Sequence, residues 1–349
     1  MTIAIESPQG DTCSLAYVGS SLIRALEANG HAPIAIPSRA FDPTTAPAAV
    51  LRAYARHRDL RRNRRLIVDR SLRYGLHHHG DSMRARTRAV LVYWDSDHMP
   101  ASFARYLSAF DELFGISTFV ADVMRAATGR DVGILHHGIW PDECTYAPPP
   151  DGPFRFLHLG QVDARKATDV LLRAFVAAFP AREAVRLTIK CGPGQVAAAR
   201  TLHQVHARGD DRVEVIGEHV HRHDLSAYFQ AAHAVVLPSR CEGFGLVGLE
   251  ALAHGRTVIA HGFSGPLDYL DASDCTIVPS SGKVPAPLYP GFAREPDFDA
   301  LVAALRAVAA DRDAACRRGA AARARVLPSW SWVDRVGAWA NPGSARHAA

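Results

Sequence analysis

The sequence predicts an α/β protein built as two doubly wound halves, each a parallel sheet with helices on its faces. Three observations lead there. Short runs rich in valine and isoleucine alternate with amphipathic stretches along most of the chain, as buried parallel strands joined by helices do. The cluster Pro148–Pro150 interrupts that alternation and reads as a linker. A chain of 349 residues also exceeds what one hydrophobic core usually supports. The predicted division is 1–149 for a first domain, 150–327 for a second, and 328–349 for a terminal helical segment.

In the first half, Thr2–Ile5 reads as a strand, Leu15–Asn29 as a helix stopped by Gly30, and His31–Pro37 as the next strand. Strands are predicted at Leu66–Val68, Ala89–Tyr93, Glu112–Ile116 and Asp131–Leu135, with helices over Phe103–Phe110 and Thr118–Thr128. The second half opens with the strand Phe154–Leu159. Further strands fall at Val185–Lys190, Val213–Ile216, Ala234–Leu237, Thr257–Ala260 and Cys275–Val278. Helices intervene at Thr168–Phe179, Val196–Arg208, Leu225–Ala232 and Leu246–His254. Beyond Pro296 an alanine-rich run predicts two short helices, and Trp332, Val336 and Trp339 share one stripe of a last helix. Ligands of such sheets sit outside the carboxyl ends of the strands.

Composition narrows the class. Hydrophobic residues make up 48% and charged residues 21%, with a net charge of +5, ordinary for a soluble globular protein. No apolar run reaches the length of a bilayer span, and the N-terminus lacks the basic and apolar regions of a secretory signal. The six cysteines are scattered without a Cys-x-x-Cys pair, which argues against a zinc site or a disulfide framework. A reducing cytoplasm and no bound metal are the expectations. His77–His79 reads as a polar loop. The stretch Arg52–Arg88 is dense in arginine and poor in acids. It reads as a solvated basic face; the functional alternative is a surface for anionic lipid heads or an anionic acceptor, peripheral at the inner membrane face. Without interleaved aromatics it does not read as a nucleic-acid surface.

The most informative segment is His233–Ala260, HAVVLPSRCEGFGLVGLEALAHGRTVIA. It reads strand, glycine-broken turn, helix, strand. Glu242 lies in the turn with Gly243 and Gly245, and Glu250 lies on an otherwise apolar helix, where a carboxylate is costly unless something polar faces it. The amides of Phe244, Gly245 and Leu246 form a helix N-terminus, which attracts an anionic ligand. Carboxylates seek hydroxyls and the helix end seeks an anion, so the segment suits a sugar joined to a nucleotide through phosphates.

EGFGLVGLEALAHG closely resembles the paired-glutamate signature of the family-4 retaining glycosyltransferases, which have the GT-B fold of two Rossmann-like domains facing across a cleft. HLGQVDARKATDVLLRAF, from His158 to Phe175, resembles the segment that opens the second domain of that family. There the family places an arginine directly after the glycine, here Gly160, and a lysine a few residues on. Lys166 matches the lysine. The arginine position holds Gln161, and Arg165 is the candidate substitute for its charge. LVYWDSDHMPASFARYLSAFDELFGISTFVADVMRAATG resembles a block of one branch of the family, with Asp95 where that branch commonly carries glutamate. ILHHGIWPDECTYAPP resembles the stretch leading into the linker. The glycine-rich turn that many relatives carry after the first strand is represented only by Gly10.

The resemblance implies a retaining transferase with a nucleotide-sugar as co-substrate and no other cofactor. Glu250 would hold the nucleotide ribose. Glu242 and the amides of the Gly243–Gly245 turn would hold the sugar hydroxyls, and Lys166 the diphosphate. Gly10, Asp95 and His98 are the acceptor-side candidates, the last two reading equally as turn and cap residues. The last helix would cross back onto the first domain. Three alternatives remain: a GT-B phosphorylase, a nucleotide-sugar epimerase, or a non-catalytic nucleotide-sugar-binding protein. A dinucleotide-dependent oxidoreductase is excluded, because no G-x-G-x-x-G follows the first strand and Cys191–Gln195 is only a partial echo.

Overall fold

The computed structural model describes residues 1–8, 13–38, 46–62, 67–75, 84–180 and 183–341, without the side chains of residues 61, 62 and 223. Gly10 and His77–His79 lie outside the described residues, as do Arg64 and Arg65 of the basic run. The chain divides into two compact units. Residues 1–94 and 99–138 with the chain from Trp330 form the first, and residues 95–98 with 139–329 form the second. The boundary falls at Gly138–Ile139, ahead of the proline cluster. No helix among the described residues is long and apolar enough to cross a membrane.

The first unit runs β1 (Ile3–Ser7), α1 (Ser14–Ala28), β2 (Ile34–Pro37), α2 (Ala48–Arg62), β3 (Ile67–Tyr74), β4 (Arg84–Val92), α3 (Ala101–Leu107), β5 (Glu112–Gly115), α4 (Thr118–Thr128) and β6 (Gly133–Ile134). Its strands pair in parallel in the order β2-β1-β3-β4-β5-β6. The sequence explains the clearest helix: Ser117 accepts the Val120 amide at 3.2 Å to start α4, and Gly129 ends it in the left-handed conformation.

The second unit runs β7 (Phe154–Leu159), α5 (Thr168–Ala178), β8 (Val185–Lys190), α6 (Val196–Ala207), β9 (Val213–Ile216), α7 (Leu225–Gln230), β10 (Ala234–Leu237), α8 (Leu246–Ala253), β11 (Thr257–His261) and β12 (Thr276–Val278). A hairpin of β13 (Ser280–Pro285) and β14 (Phe292–Pro296) follows, then α9 (Phe298–Ala310) and α10 (Arg312–Ser329). The sheet order is β12-β11-β10-β7-β8-β9, all parallel. From β7 the chain builds outward through β8 and β9, then returns to lay β10 beside β7 and builds the other way. That reversal is a topological switch point, where loops leaving adjacent strand ends diverge and open a crevice.

The last helix, α11 (Trp332–Ala340), belongs to the first unit. Its stripe of Trp332, Val336 and Trp339 is buried, and Asn29 at the end of α1 donates from Nδ2 to the Val333 carbonyl at 2.9 Å.

Three features depart from the sequence reading. The basic run contains the helix α2 and the long strands β3 and β4, and it is not one solvated face. Arg52 and Arg56 both pair with Glu27, at 2.6 and 2.9 Å. Arg70 pairs with Glu112, donates to the Trp339 carbonyl at 2.8 Å and stacks 4.3 Å from the Trp339 ring centroid. β3 lies inside the sheet, so its guanidinium groups must find acids and carbonyls on neighbouring elements. The hairpin β13–β14 also departs from the sequence reading, because SSGKVPAPLYPGFAREP lacks the alternation that marks strands. Finally, Asp95–His98 counts with the second unit, not the first.

Buried histidines make stability depend on pH. Burial pushes His158 down to about 4 and His137 down to about 3, below the ordinary value of about 6.5. The unfolded chain therefore takes up these protons first as pH falls. Stability should be full above pH ~6.5 and decline steadily toward pH ~5, before carboxylates contribute. Thermal unfolding across that window should show a falling midpoint; a flat profile would mean that these rings are not held neutral.

Candidate active site

The site grows from the carboxyl ends of the two neighbouring central strands of the second unit. His158, near the end of β7, is buried and bonds the Val236 carbonyl of β10 at 3.0 Å through Nδ1. Its Nε2 lies 3.0 Å from Thr168 Oγ1 at the start of α5. Val236 O can only accept, so Nδ1 carries the proton and Nε2 accepts from the threonine hydroxyl. One neutral ring thus ties both strands to the first turn of α5.

After Leu159 the chain turns through Gly160, whose φ is +146°. A Cβ there would lie 3.2 Å from Lys166 Cε, so the glycine leaves room for the lysine to fold back across the turn. Asp163 closes the next turn by accepting the Lys166 amide at 3.0 Å. Arg165 and Lys166 are both buried, whereas Gln161 is exposed.

After Leu237, the Arg240 amide donates to the Arg165 carbonyl at 2.7 Å, joining the β10 loop to the β7 loop. The Glu242 amide donates to Ser264 Oγ at 2.9 Å, and its carbonyl accepts from the Gly265 amide at 3.0 Å. Its side chain is thereby aimed at the two cations. Lys166 Nζ lies 2.6 Å from Oε1 and Arg165 Nη1 lies 2.8 Å from Oε2. Burial opposes ionisation of Glu242, but Arg165 and Lys166 together outweigh it and hold the carboxyl at about 2. The same carboxylate, with Asp95 and Asp163, raises Arg165 against the effect of burial.

Asp95 completes the cluster. Its Oδ1 accepts the Gly243 amide at 2.6 Å, and its Oδ2 lies 3.7 Å from Arg165 Nε. Burial pushes Asp95 upward more than Arg165 lowers it. Asp95 thus ties down the glycine turn through the Gly243 amide, in keeping with the turn-residue alternative of the sequence. The sequence placed Asp95 at a strand end but had no means of showing which loop it meets. His98 is exposed and lies against the hairpin, where a Cβ on Gly291 would be 2.7 Å from the His98 Cβ.

Phe244 is 2% exposed and packs on the Tyr269 ring at 5.4 Å, so its side chain wedges the turn into the core. Gly245 has φ +77°, and Tyr269 donates from its hydroxyl to the Gly245 carbonyl at 2.6 Å. Leu246 then opens α8. One turn on, Glu250 is 3% exposed and ion-paired with Arg222, which comes from the turn before α7. The structure therefore brings Lys166, Arg165, Glu242, Gly243 and Asp95 together, while Glu250 has its own partner. Beside Arg222 the segment Glu218–His221 rims a cavity of about 510 Å³, floored by Leu157, Thr188 and Ile216.

Sequence reasoning did not find Arg222, Ser264, Tyr269 or Arg240. Arg240 grips Glu295 of β14 at 2.5 and 2.8 Å and Asp169 of α5 at 3.2 Å, fixing the hairpin to the first turn of α5. No group of His, Cys, Asp and Glu side chains that could hold a metal ion occurs among the described residues.

The Gly245→Ala substitution should test how tightly the turn is set. A Cβ would meet Pro266 Cγ at 2.8 Å in a backbone region disfavoured for alanine. We expect a loss of about 1–3 kcal/mol in denaturant unfolding; an unchanged midpoint would show that the turn relaxes freely.

Glycogen synthase of Mycobacterium tuberculosis is 28% identical over 206 residues, 58% of this chain and 45% of that protein. The chain thus matches less than half the length of that curated relative. Sucrose-phosphate synthase from Thermosynechococcus elongatus superposes with a TM-score of 0.68 at 18% identity, covering 98% of both chains. Anabaena HepE in complex with UDP-glucose gives 0.67 at 15% identity, covering 98% of this chain and 99% of that one. These likenesses establish the GT-B fold. The family model described as "Family 4 Glycosyltransferase in conflict systems" matches residues 117–338, more than half of the chain. The chain belongs to that family of family-4 glycosyltransferases.

Proposed function

We propose that the protein transfers a sugar from a nucleoside diphosphate sugar to an acceptor hydroxyl with retention of configuration. The observation that carries this reading is the buried meeting of Lys166 and Arg165 on Glu242 at the switch point of the second sheet. HepE, a structural neighbour, was crystallised with UDP-glucose, which supports a donor of this class.

The roles follow from charge. A donor brings its diphosphate to Lys166 and Arg165, which face the one strongly ionised carboxylate of Glu242. Sugar hydroxyls donate to Glu242 as its contacts with the cations loosen, and Lys166 and Arg165 turn toward the phosphates. Arg165 thereby supplies the charge that Gln161 lacks. The bond from the sugar's anomeric carbon to the phosphate oxygen breaks with its electron pair going to the nucleoside diphosphate. Lys166 stabilises that charge as it develops. The acceptor oxygen bonds the anomeric carbon on the same face, and its proton passes to the departing phosphate. Glu250 accepts the ribose hydroxyls, with Arg222 sharing or yielding its carboxylate. The base enters the cavity beside Arg222, whose volume suits a small-molecule ligand. Lysine, arginine and helix amides supply the positive field, so the reaction as proposed needs no metal.

Lys166→Ala should lower transfer on the order of a hundredfold, chiefly in kcat. Glu250→Ala should instead raise the donor KM about tenfold or more, with a smaller effect on kcat. The measurement is steady-state transfer with a panel of UDP and GDP sugars. Near-parent values for both variants would remove the assignment.

A further inference from the structure

The first unit holds a separate cavity of about 200 Å³ against one face of its sheet. Glu6 of β1, Ser71 and Arg73 of β3, Arg88 of β4, Tyr106 of α3 and Phe110 line it. Strand register gathers these side chains: Glu6 stands opposite Arg73, and Ser71 opposite Arg88. All four therefore project from the same face of the sheet.

Arg73 is fixed within the cavity. Its Nε donates to Glu6 at 2.7 Å and its Nη1 to the Tyr106 hydroxyl at 3.0 Å, with the Phe110 ring 5.6 Å from its centre. Glu6 is thus neutralised, and a guanidinium has five N–H donors, so Arg73 keeps donors in reserve. Arg88 is different. It is exposed at the rim, and no carboxylate among the described residues pairs with its guanidinium. The cavity therefore holds two guanidinium groups against one carboxylate. Alternation along β4 also places Arg84 and Arg86 on the face that carries Arg88, with Arg86 3.9 Å from Asp69.

A planar guanidinium fork matches a phosphate's oxygens bidentately. Hydroxyls of Ser71 and Tyr106 add neutral partners on the inner side. The volume suits a phosphate and the carbon that bears it, and is too small for a nucleotide. We propose that this cavity is an anion site that takes a phosphate monoester between Arg88 and Arg73. Nothing in the proposal depends on the transferase reading, and either can fail without the other.

The test is calorimetric titration of the full chain with inorganic phosphate, using parent, Arg88→Gln, Arg58→Gln and Lys166→Ala. Arg58 is exposed on α2 and controls for the loss of one charge elsewhere. Arg88→Gln should weaken binding about tenfold or more, while Arg58→Gln and Lys166→Ala keep the parent affinity for this site. Equal binding by parent and Arg88→Gln overturns the proposal. So does an equal loss in Arg58→Gln, a loss confined to Lys166→Ala, or no binding by the parent. A second arm compares glycerol 3-phosphate with phosphatidylcholine vesicles containing phosphatidic acid. Binding of either that depends on Arg88 supports the site and identifies a soluble or lipid-borne phosphate; dependence in neither overturns it.

Discussion

Lys166 and Arg165 carry two positive charges into a place nearly closed to water, where Glu242 pairs with both and Asp95 lies beside Arg165. Burying any of these alone would cost several kcal/mol. Together they are tolerated because each charge faces an opposite one within ion-pair reach. That balance decides much of the local structure. It holds the β7 loop against the β10 loop, and it fixes the direction in which Glu242 points. It also commits the Gly243 amide to Asp95. Any anion entering the cluster must rearrange these pairs, so ligand binding and charge redistribution are one event.

The backbone around the cluster is arranged so that the charges can meet. Gly160 lets the lysine stem lie across the turn, where a side chain would crowd it. His158 joins β7, β10 and α5 with a neutral ring, adding rigidity without another charge. Phe244 and Tyr269 anchor the glycine turn in the core. Arg240 carries the hairpin into the same construction through Glu295 and Asp169. The hairpin is exposed along much of its length, yet its end is held by residues that border the site.

Arginine plays two roles in this chain. In the second unit it pairs within a buried functional cluster. In the first unit Arg52, Arg56, Arg70 and Arg73, half of the basic run's arginines with described side chains, are paired with Glu27, Glu112 and Glu6. A run that looks like a uniform basic surface in one dimension is therefore divided in three between paired and exposed arginines. What positive charge remains is local, on β4 and the exposed side of α2.

Fold class was legible in the sequence because buried parallel strands must be apolar and helices must alternate with them. The strands from Phe154 to Leu237 follow that rule closely, and each was found at or near its true bounds. The hairpin Ser280–Pro296 was not, since its residues are mostly solvent-facing and no core imposes a period on them. The site was half legible. Glu250 stands out because a carboxylate on an apolar helix needs a reason, whereas Glu242 is marked by the glycine turn and Lys166 only by the family resemblance. Their pairings do not stand out: Arg222 went unmarked and Asp95 was marked without its partners, because local spacing carries no record of meetings between distant segments. Sequence by itself determined the alternating elements, the glycine turn and the presence of unusual buried charges. Only the tertiary structure decided which charges pair, since pairing depends on the order in which strands are laid side by side, and β10 returns to β7 after the long excursion from Gly160 to His233.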